Sequence, residues 1–382
     1  MARWNRRTWA EIDLPSLEHN YRALRALLPH GCRFLGVVKA NAYGHGALPC
    51  ARALEELGAD YLAVACLEEA AELRQGGIGL PILILGATSP GCAQDLLALD
   101  VTQTVGDWEG ARALSAAVDG RGRLKVHIKA DTGMSRLGFL CDEAHLTQTA
   151  REIAAAAALP GLEAEGIFTH FADADGSEEY TMAQFTRFLD LLKELEGRGV
   201  AFPIRHCANS AAVLRFPCTH LDMVRPGVAL YGHYPDPCCQ GLDGPGLEAV
   251  MRLYTQVAAV RTLPDGACVS YGCTARLEGE RTLAVLPAGY ADGLPRLLSN
   301  RGSVYIGGER RPIVGRVCMD MCMADVTGLK VRPGDVAEIF GEHLPVEQAA
   351  GQADTIQYEL LCRVSPRVPR MIRSGTAGHP PA

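Results

Sequence analysis

Eight short apolar runs, separated by amphipathic segments, fill residues 16 to about 230 and narrow the folds open to this chain. They read RFLGVVK (33–39), YLAVA (61–65), PILIL (81–85), VTQTV (101–105), LKVHIK (124–129), LEAEGIFTH (162–170), IRHCA (204–208) and LDMV (221–224). Each has strand length, and the segments between them carry helical spacing. In SLEHNYRALRALL, Leu17, Tyr21, Leu24 and Leu28 fall on one helical face, and Pro15 suits a helix start. LEEAAELRQGG ends on glycines, as a helix C-terminus does. Eight β segments with intervening helices are the count of a (β/α)8 barrel. The expected fold class is therefore α/β, opening with a TIM-type barrel. Periodicity alone does not distinguish a closed barrel from a doubly wound open sheet.

After about residue 235 the rhythm changes. YPDPCCQGLDGPG is dense in proline and glycine and reads as a linker. Beyond it lie short strand-like runs separated by turns: LYTQVAAVRTL, ACVSYG, RTLAVLPAG, GSVYIGG, RPIVGRV, MCMADV and DVAEIF, with a helical stretch near 347–353. The expected organisation is a barrel over residues 10–240 and a mostly-β domain over residues 241–382. Residues 1–9, which also alternate, are expected to join the β domain.

Composition limits the function. Hydrophobic residues make up 48% of the chain, enough for a sizeable core, and the net charge of −7 is interspersed, which argues against nonspecific nucleic-acid binding. No stretch approaches the roughly 18 apolar residues of a membrane span. MARWNRRTWAEIDL lacks the apolar region of a signal peptide. None of the 14 cysteines forms a CxxC pair, so zinc-ligand spacing is missing and no metal is expected. Reduced, mostly buried thiols in a cytoplasmic protein are the expectation, with Cys238 and Cys239 as a pair in a loop.

If the barrel forms, chemistry belongs at the C-terminal ends of its strands. Lys39 ends the first strand, in VVKANAYGHG; His170 ends the sixth. Asn209 and Ser210 follow the seventh, and Arg225 follows the eighth. A lysine in such a place either snorkels to water or is an amine held in a desolvated pocket to attack a carbonyl. The last two loops are the usual phosphate site of such barrels, where Ser210 offers a hydroxyl at a helix start and Gly227 lets backbone come close. A phosphate site beside a reactive lysine suits a phosphorylated aldehyde bound as a Schiff base, and pyridoxal 5′-phosphate is the candidate.

Seven motifs, in order from about residue 5 to 371, carry a family likeness: VVKANAYGHG, KADTGMSRLGF, HCANSAA, MVRPGVALYG, VSYGCTAR, VCMDM and YELLCRVSPRVPR. Together they resemble alanine racemase, of the fold-type III pyridoxal-phosphate enzymes. The resemblance implies a barrel plus a β domain in a head-to-tail homodimer with shared active sites. It implies that Lys39 is the Schiff-base lysine and that Tyr271, reaching in from the other subunit, is the second catalytic base. His170 and Arg225 match the groups near the cofactor, with Arg225 at the pyridine nitrogen in place of the usual carboxylate. Tyr43, Ser210, Gly227, Val228 (through its amide) and Tyr358 match phosphate contacts. Arg136 and Met319 match groups near the substrate carboxylate, Met319 from the partner subunit.

The resemblance also makes Lys129 a lysine often carbamylated in the family; read from the residues alone, it equally pairs with Asp131. The bulk of Tyr358 favours alanine over serine. The implied role is supply of D-alanine for cell-wall peptidoglycan by two-base racemisation. CTAR and HCANS depart from the commonest family wording beside matched residues. Rival readings are a broad-specificity or serine-active racemase, a noncatalytic pyridoxal-phosphate carrier, and a fold-type III decarboxylase. The carrier lacks the β domain and its tyrosine. The decarboxylase uses an acidic residue and a cysteine where Arg225 and Tyr271 stand.

Overall fold

The computed structural model describes residues 7–241, 244 and 246–375. The expectations for residues 1–6 and 376–382, and part of the linker, lie outside them. Contacts divide the chain into two units, one of residues 17–42 and 47–248 and one of residues 1–16, 43–46 and 249–382. The second unit thus takes in the N-terminal segment past the expected boundary at residue 9.

The first unit is the barrel. Its strands are β2 (Arg33–Val37), β3 (Tyr61–Val64), β4 (Ile82–Ile84), β5 (Thr102–Val105), β6 (Leu124–Asp131), β8 (Leu162–Phe168), β9 (Ile204–His206) and β10 (Met223–Val224), with a short β7 (Phe139–Leu140) beside β6. They are parallel, in the order β10-β2-β3-β4-β5-β6-β8-β9. The ends of this row meet through a bridge between Asn209 and Arg225 and a bond from the Asp222 N–H to the Arg205 carbonyl, 3.1 Å. The sheet is therefore a nearly closed ring, and all eight sequence runs contribute to it.

The runs read as strands because parallel strands are covered on both faces and tolerate little polarity. Ile82, Leu83 and Ile84 are wholly buried in succession. The helices are α1 (Leu14–Ala26), α2 (Ala47–Glu56), α3 (Leu67–Gln75), α4 (Ala93–Ala98), α5 (Trp108–Val118), α6 (Leu146–Ala157), α7 (Glu178–Gly197) and α8 (Ser210–Arg215). Leu17, Tyr21 and Leu24 are buried as their spacing requires, but Leu28 lies beyond the end of α1. Pro29 disfavours helical backbone at the residue before it.

The second unit holds β1 (Thr8–Asp13) in a six-stranded sheet with β11 (Met251–Gln256), β16 (Ser303–Ile306), β17 (Glu309–Pro312), β19 (Val336–Phe340) and β20 (Arg370–Arg373). β12 (Ala259–Leu263), β15 (Arg281–Leu286) and β18 (Cys322–Asp325) form a second sheet, and β13 (Cys268–Val269) with β14 (Ala275–Arg276) a hairpin. Two short helices follow, α9 (Val346–Gln352) and α10 (Gln357–Arg363). LYTQVAAVRTL is two strands, β11 and β12, not one. ACVSYG contributes only two residues to β13, because Ser270 turns to φ 63°. Asp292 ties the unit together: its buried carboxylate takes bonds from Arg7 (2.6 Å), Arg367 (2.8 and 2.9 Å) and the Gly289 amide (2.9 Å). Among the described residues no helix is long and apolar enough to cross a membrane. All 14 cysteines are free thiols.

Candidate active site

In the barrel, Lys39 stands two residues past the end of β2, at the entry to an unusual piece of backbone. Ala40, Asn41, Ala42 and Tyr43 all take left-handed conformation, with φ 53°, 54°, 54° and 52°. Each such residue costs about 1–2 kcal/mol unless its surroundings enforce it. They do so through hydrogen bonds. Glu69 accepts from the amides of Ala40 (2.6 Å) and Ala65 (2.7 Å), Asn41 Oδ1 accepts from the Ala47 amide (2.7 Å), and the Ala42 amide donates to the Val38 carbonyl (2.8 Å). The Tyr231 hydroxyl also donates to the Val37 carbonyl, 2.9 Å. The lysine is thus held at a strand end by backbone that a freely chosen loop would avoid.

Around it the barrel gathers cations. His170 is half-buried, and desolvation, followed by the charges of Arg225, Arg136, Lys129 and Lys39, holds its imidazole well below the ordinary histidine range. Lys129 is buried on β6, and burial together with Arg136, Arg225 and Lys39 lowers its ammonium to about 8. Arg225 is buried, and burial lowers even its guanidinium, to about 10. Phe168 lies beneath this group, its ring centre 5.6 Å from Lys129 Nζ and 5.2 Å from the Arg225 guanidinium carbon. Asp131 does not form the expected pair with Lys129. Its carboxylate is taken up by the amides of Gly133, Met134, Ser135 and Arg136, at 3.0, 2.9, 3.0 and 3.1 Å, and so shapes the loop that carries Arg136.

Ser210 opens α8, where Asn209 caps the helix by accepting from the Ala212 amide, 3.0 Å. The Ser210 hydroxyl accepts from the amides of Gly227 (2.8 Å) and Ala229 (3.4 Å). With its acceptor capacity so used, its own hydrogen is left to donate. Val228, which follows Gly227, is buried.

A chain of residues absent from the sequence expectations backs Arg225. Arginine only donates, so His206 Nδ1, 2.8 Å from Arg225 Nη1, must accept. His206 Nε2 then carries the hydrogen and donates to His127 Nδ1 at 2.8 Å. His127 Nε2 in turn faces Glu165 Oε1 at 3.4 Å, long for a hydrogen bond but within ion-pair range. Glu165 also accepts from Thr102 (2.8 Å), and these contacts outweigh burial and hold its carboxyl below the usual range. Arg225 further donates to the Thr169 carbonyl (2.8 Å), the Cys207 carbonyl (3.1 Å) and His170 Nδ1 (3.3 Å). Glycine makes room for the relay: a Cβ on Gly166 would stand 2.6 Å from the His127 ring. The legible signal was histidine inside strands that are otherwise apolar.

This relay has a pH consequence. Burial, then Arg225 and His127, depress His206 well below the ordinary value, as burial and the nearby cations depress His170. Below about pH 6.5 an unfolded chain protonates these rings while the folded one does not. Their contribution is full above that pH and is lost as pH falls, by up to about 1.4 kcal/mol per pH unit for each ring. Denaturant unfolding measured between pH 7 and 5 should show this decline, and His206→Asn should make it shallower.

The β domain carries the remaining candidates. Tyr271 sits in a one-turn 3-10 segment between β13 and β14, with 72% of its surface exposed. Met319 and Met321, 53% and 46% exposed, line the same open cavity of about 670 Å3. Val269, Leu277 and Leu283 pack beneath the hairpin, and the Ser270 hydroxyl donates to the Arg316 carbonyl at 2.7 Å. The platform is firm and its apolar outer face lies open. Tyr43 and Tyr358, both half-buried in this unit, lie with ring centres 6.2 Å apart. Burial, then Cys362, raises the Tyr43 phenol far above its ordinary value, so it stays protonated and able to donate.

Comparison with known proteins takes in nearly the whole chain. Residues 12–235 match the N-terminal domain of alanine racemase and residues 250–372 match its C-terminal domain. The alanine racemase of Desulforamulus reducens is 48% identical over 369 residues, covering 95% of this chain and 98% of its own. Among solved structures, alanine racemase of Clostridium difficile 630 superposes with a TM-score of 0.92 at 38% identity, over 97% of this chain and 96% of its own. Alanine racemase of Bartonella henselae with covalently bound pyridoxal phosphate gives 0.86 at 30% identity, over 96% and 99%.

Proposed function

The chain belongs to the alanine racemase family of isomerases, and from that premise we propose that it interconverts L- and D-alanine with pyridoxal 5′-phosphate, using Lys39 and Tyr271 of the partner subunit as its two bases. The observation that carries this reading is the gathering of Lys39, Lys129, Arg136, His170 and Arg225 within one barrel site.

That donor set fits the cofactor. The Ser210 hydroxyl and the Val228 amide offer hydrogens to a phosphate, with Gly227 leaving room beside them, and Tyr43 and Tyr358 are the phenols assigned to the same group. Arg136, with Met319 from the partner subunit, is assigned to the substrate carboxylate. The cationic cluster suits a ligand bearing several negative charges. Bound pyridoxal 5′-phosphate supplies an aldehyde to which the amino acid attaches and a ring that makes its Cα–H acidic.

The chain's own groups do the rest. The Lys39 amine takes or returns the hydrogen at Cα on one face, and the Tyr271 phenol of the partner subunit does so on the other. Inversion needs one proton carrier per face. A phenol with ordinary pKa about 10 is a poor base at neutral pH, so nearby cations that favour the phenolate are part of the mechanism. Arg225 can only donate, so it would hold a ring nitrogen placed opposite it in the accepting, unprotonated form. The neutral His206–His127 relay fixes Arg225 in that pose. This restrains the electron-withdrawing power of the ring and so limits side reactions.

Lys129 suits carbamylation. An amine lowered to about 8 is partly unprotonated at neutral pH. Its lone pair can attack carbon dioxide, one proton leaves, and the resulting carbamate places an anion among Arg136, Arg225 and Lys39. The product D-alanine suits peptidoglycan synthesis, and the exposed Tyr271–Met319–Met321 face suits burial in a head-to-tail dimer.

A racemisation assay across alanine, serine, lysine and arginine, with pyridoxal 5′-phosphate added, tests the assignment. Alanine should turn over fastest, and Tyr358→Ala should raise the serine-to-alanine ratio of kcat/KM by about 10-fold, the value of one small pocket group. Turnover of none of the four would contradict the proposal.

A further inference from the structure

Two loops of the barrel carry Arg136 and His170, and one helix holds both. Residues 132–138 follow β6 and include Arg136; residues 169–177 follow β8, include His170 and run into α7. Irregular backbone of this kind needs partners for its polar groups. On α7, Tyr180, Gln184 and Arg187 stand at spacings of four and three residues, so they share one helical face.

Gln184 makes the central contacts. It is wholly buried, and both ends of its amide are used. Its Oε1 accepts from the Ala172 amide at 2.8 Å. Its Nε2 donates to the His170 carbonyl at 3.2 Å and to the Thr132 hydroxyl at 3.3 Å. These partners fix which end is oxygen, since a backbone amide only donates and a carbonyl only accepts. One side chain thus bonds to both loops. At their roots the loops also meet directly, through the Thr132 and Thr169 hydroxyls, 2.8 Å apart.

Tyr180 and Arg187 extend the clamp along the first loop. The Tyr180 hydroxyl donates to the Gly133 carbonyl at 2.8 Å, and Arg187 Nη1 donates to the Thr132 carbonyl at 3.0 Å. The fit is close: a Cβ on Gly133 would stand 2.6 Å from the Tyr180 oxygen. On the second loop, Phe171 meets Phe185 of α7 edge to face, with ring centres 6.5 Å apart.

We propose that Gln184 is a positioning residue: with Tyr180 it locks the Arg136 loop to the His170 loop, and so sets how tightly the site holds the substrate carboxylate. That effect rests on Arg136 being the partner of the carboxylate. A guanidinium binds a carboxylate best through two parallel bonds, which demand a narrow geometry. Arg136 is itself exposed, and Ser135 before it turns to φ 57°, so the loop beneath does most to set its place. Asp131 holds that loop from within. Only α7 ties it to the neighbouring loop through a buried amide.

Two fragments of alanine separate a carboxylate effect from a general one. Propionate keeps the carboxylate and lacks the amine; ethylamine keeps the amine and lacks the carboxylate. The test uses cofactor-loaded enzyme and reads the binding of each fragment by calorimetry, beside alanine kinetics. Gln184→Met keeps the length of the side chain and removes its hydrogen bonds. It should weaken propionate binding and raise KM for alanine by at least about 5-fold each, the value of one internal hydrogen bond, while kcat falls less. Ethylamine binding should stay within about 2-fold, because it makes no use of Arg136. Tyr180→Phe removes one oxygen from a partly exposed side chain, and should weaken propionate in the same direction even if Gln184→Met fails to fold. Propionate binding unchanged in the variants that fold, or propionate and ethylamine weakened alike, would overturn the proposal. Arg136→Met is the reference: propionate binding that ignores it would instead overturn the assignment of Arg136, and with it the proposed effect of Gln184.

Discussion

Lys39→Ala is expected to lower alanine racemisation by at least about 10³-fold, more than loss of a single general base alone commonly costs at the low end. The substitution removes both the amine assigned to the cofactor and the proton carrier on one face of Cα. It should also remove the visible absorption that pyridoxal 5′-phosphate acquires on a lysine. Alanine already occupies the left-handed position next door, at Ala40, and the Glu69 and Asn41 bonds that hold the turn do not involve the lysine side chain. Circular dichroism and the unfolding midpoint should therefore be close to those of the parent. An unchanged absorption spectrum in the variant would refute the lysine assignment.

Tyr271→Phe should have the second largest effect, and an asymmetric one. Exchange of the α-hydrogen with solvent is expected to fall by about 10²–10⁴-fold for one enantiomer of alanine, the range for a positioned acid or base. For the other enantiomer, whose hydrogen is taken by Lys39, the fall should be much smaller. Because Tyr271 is 72% exposed, loss of its hydroxyl should leave folding stability within about 0.5 kcal/mol. Equal loss for both enantiomers, or none, would count against two-base chemistry. Deuterium incorporation from each pure enantiomer, followed by mass spectrometry, separates the cases.

The barrel was legible because its strands obey a simple rule. A parallel strand covered on both faces is nearly all apolar, as Leu62, Ala63 and Val64 are, and eight such runs with helices between them leave few topologies. Closure was not legible, since it depends on the Asn209–Arg225 bridge and on bonds between β9 and β10 that no periodicity encodes. The β domain was legible as strands but not as sheets. β1 pairs with β11 and β20, more than 230 residues away in sequence, and pairing at that distance leaves no local signal.

The site divides in the same way. Lys39, His170, Ser210 and Arg225 announce themselves as polar residues at the ends of apolar runs. His127, Glu165 and His206 lie inside the runs, where a polar residue signals a buried partner without saying which one. Their value appears only when β6, β8 and β9 stand side by side. Asp131 was legible as a partner but for the wrong group: four backbone amides two to five residues ahead compete for its carboxylate and win it from Lys129.

The central claim is that one site draws its lysine and its tyrosine from different copies of the chain. Subunit mixing addresses it without a crystal. Lys39→Ala and Tyr271→Phe, each nearly inactive alone, should regain racemase activity when combined under conditions that allow exchange. A mixed dimer holds one site with both bases intact, so recovery should approach about one quarter of the parent activity, or half of the sites in half of the dimers. Labelled subunits that exchange freely while activity stays at the level of the separate variants would contradict the shared site.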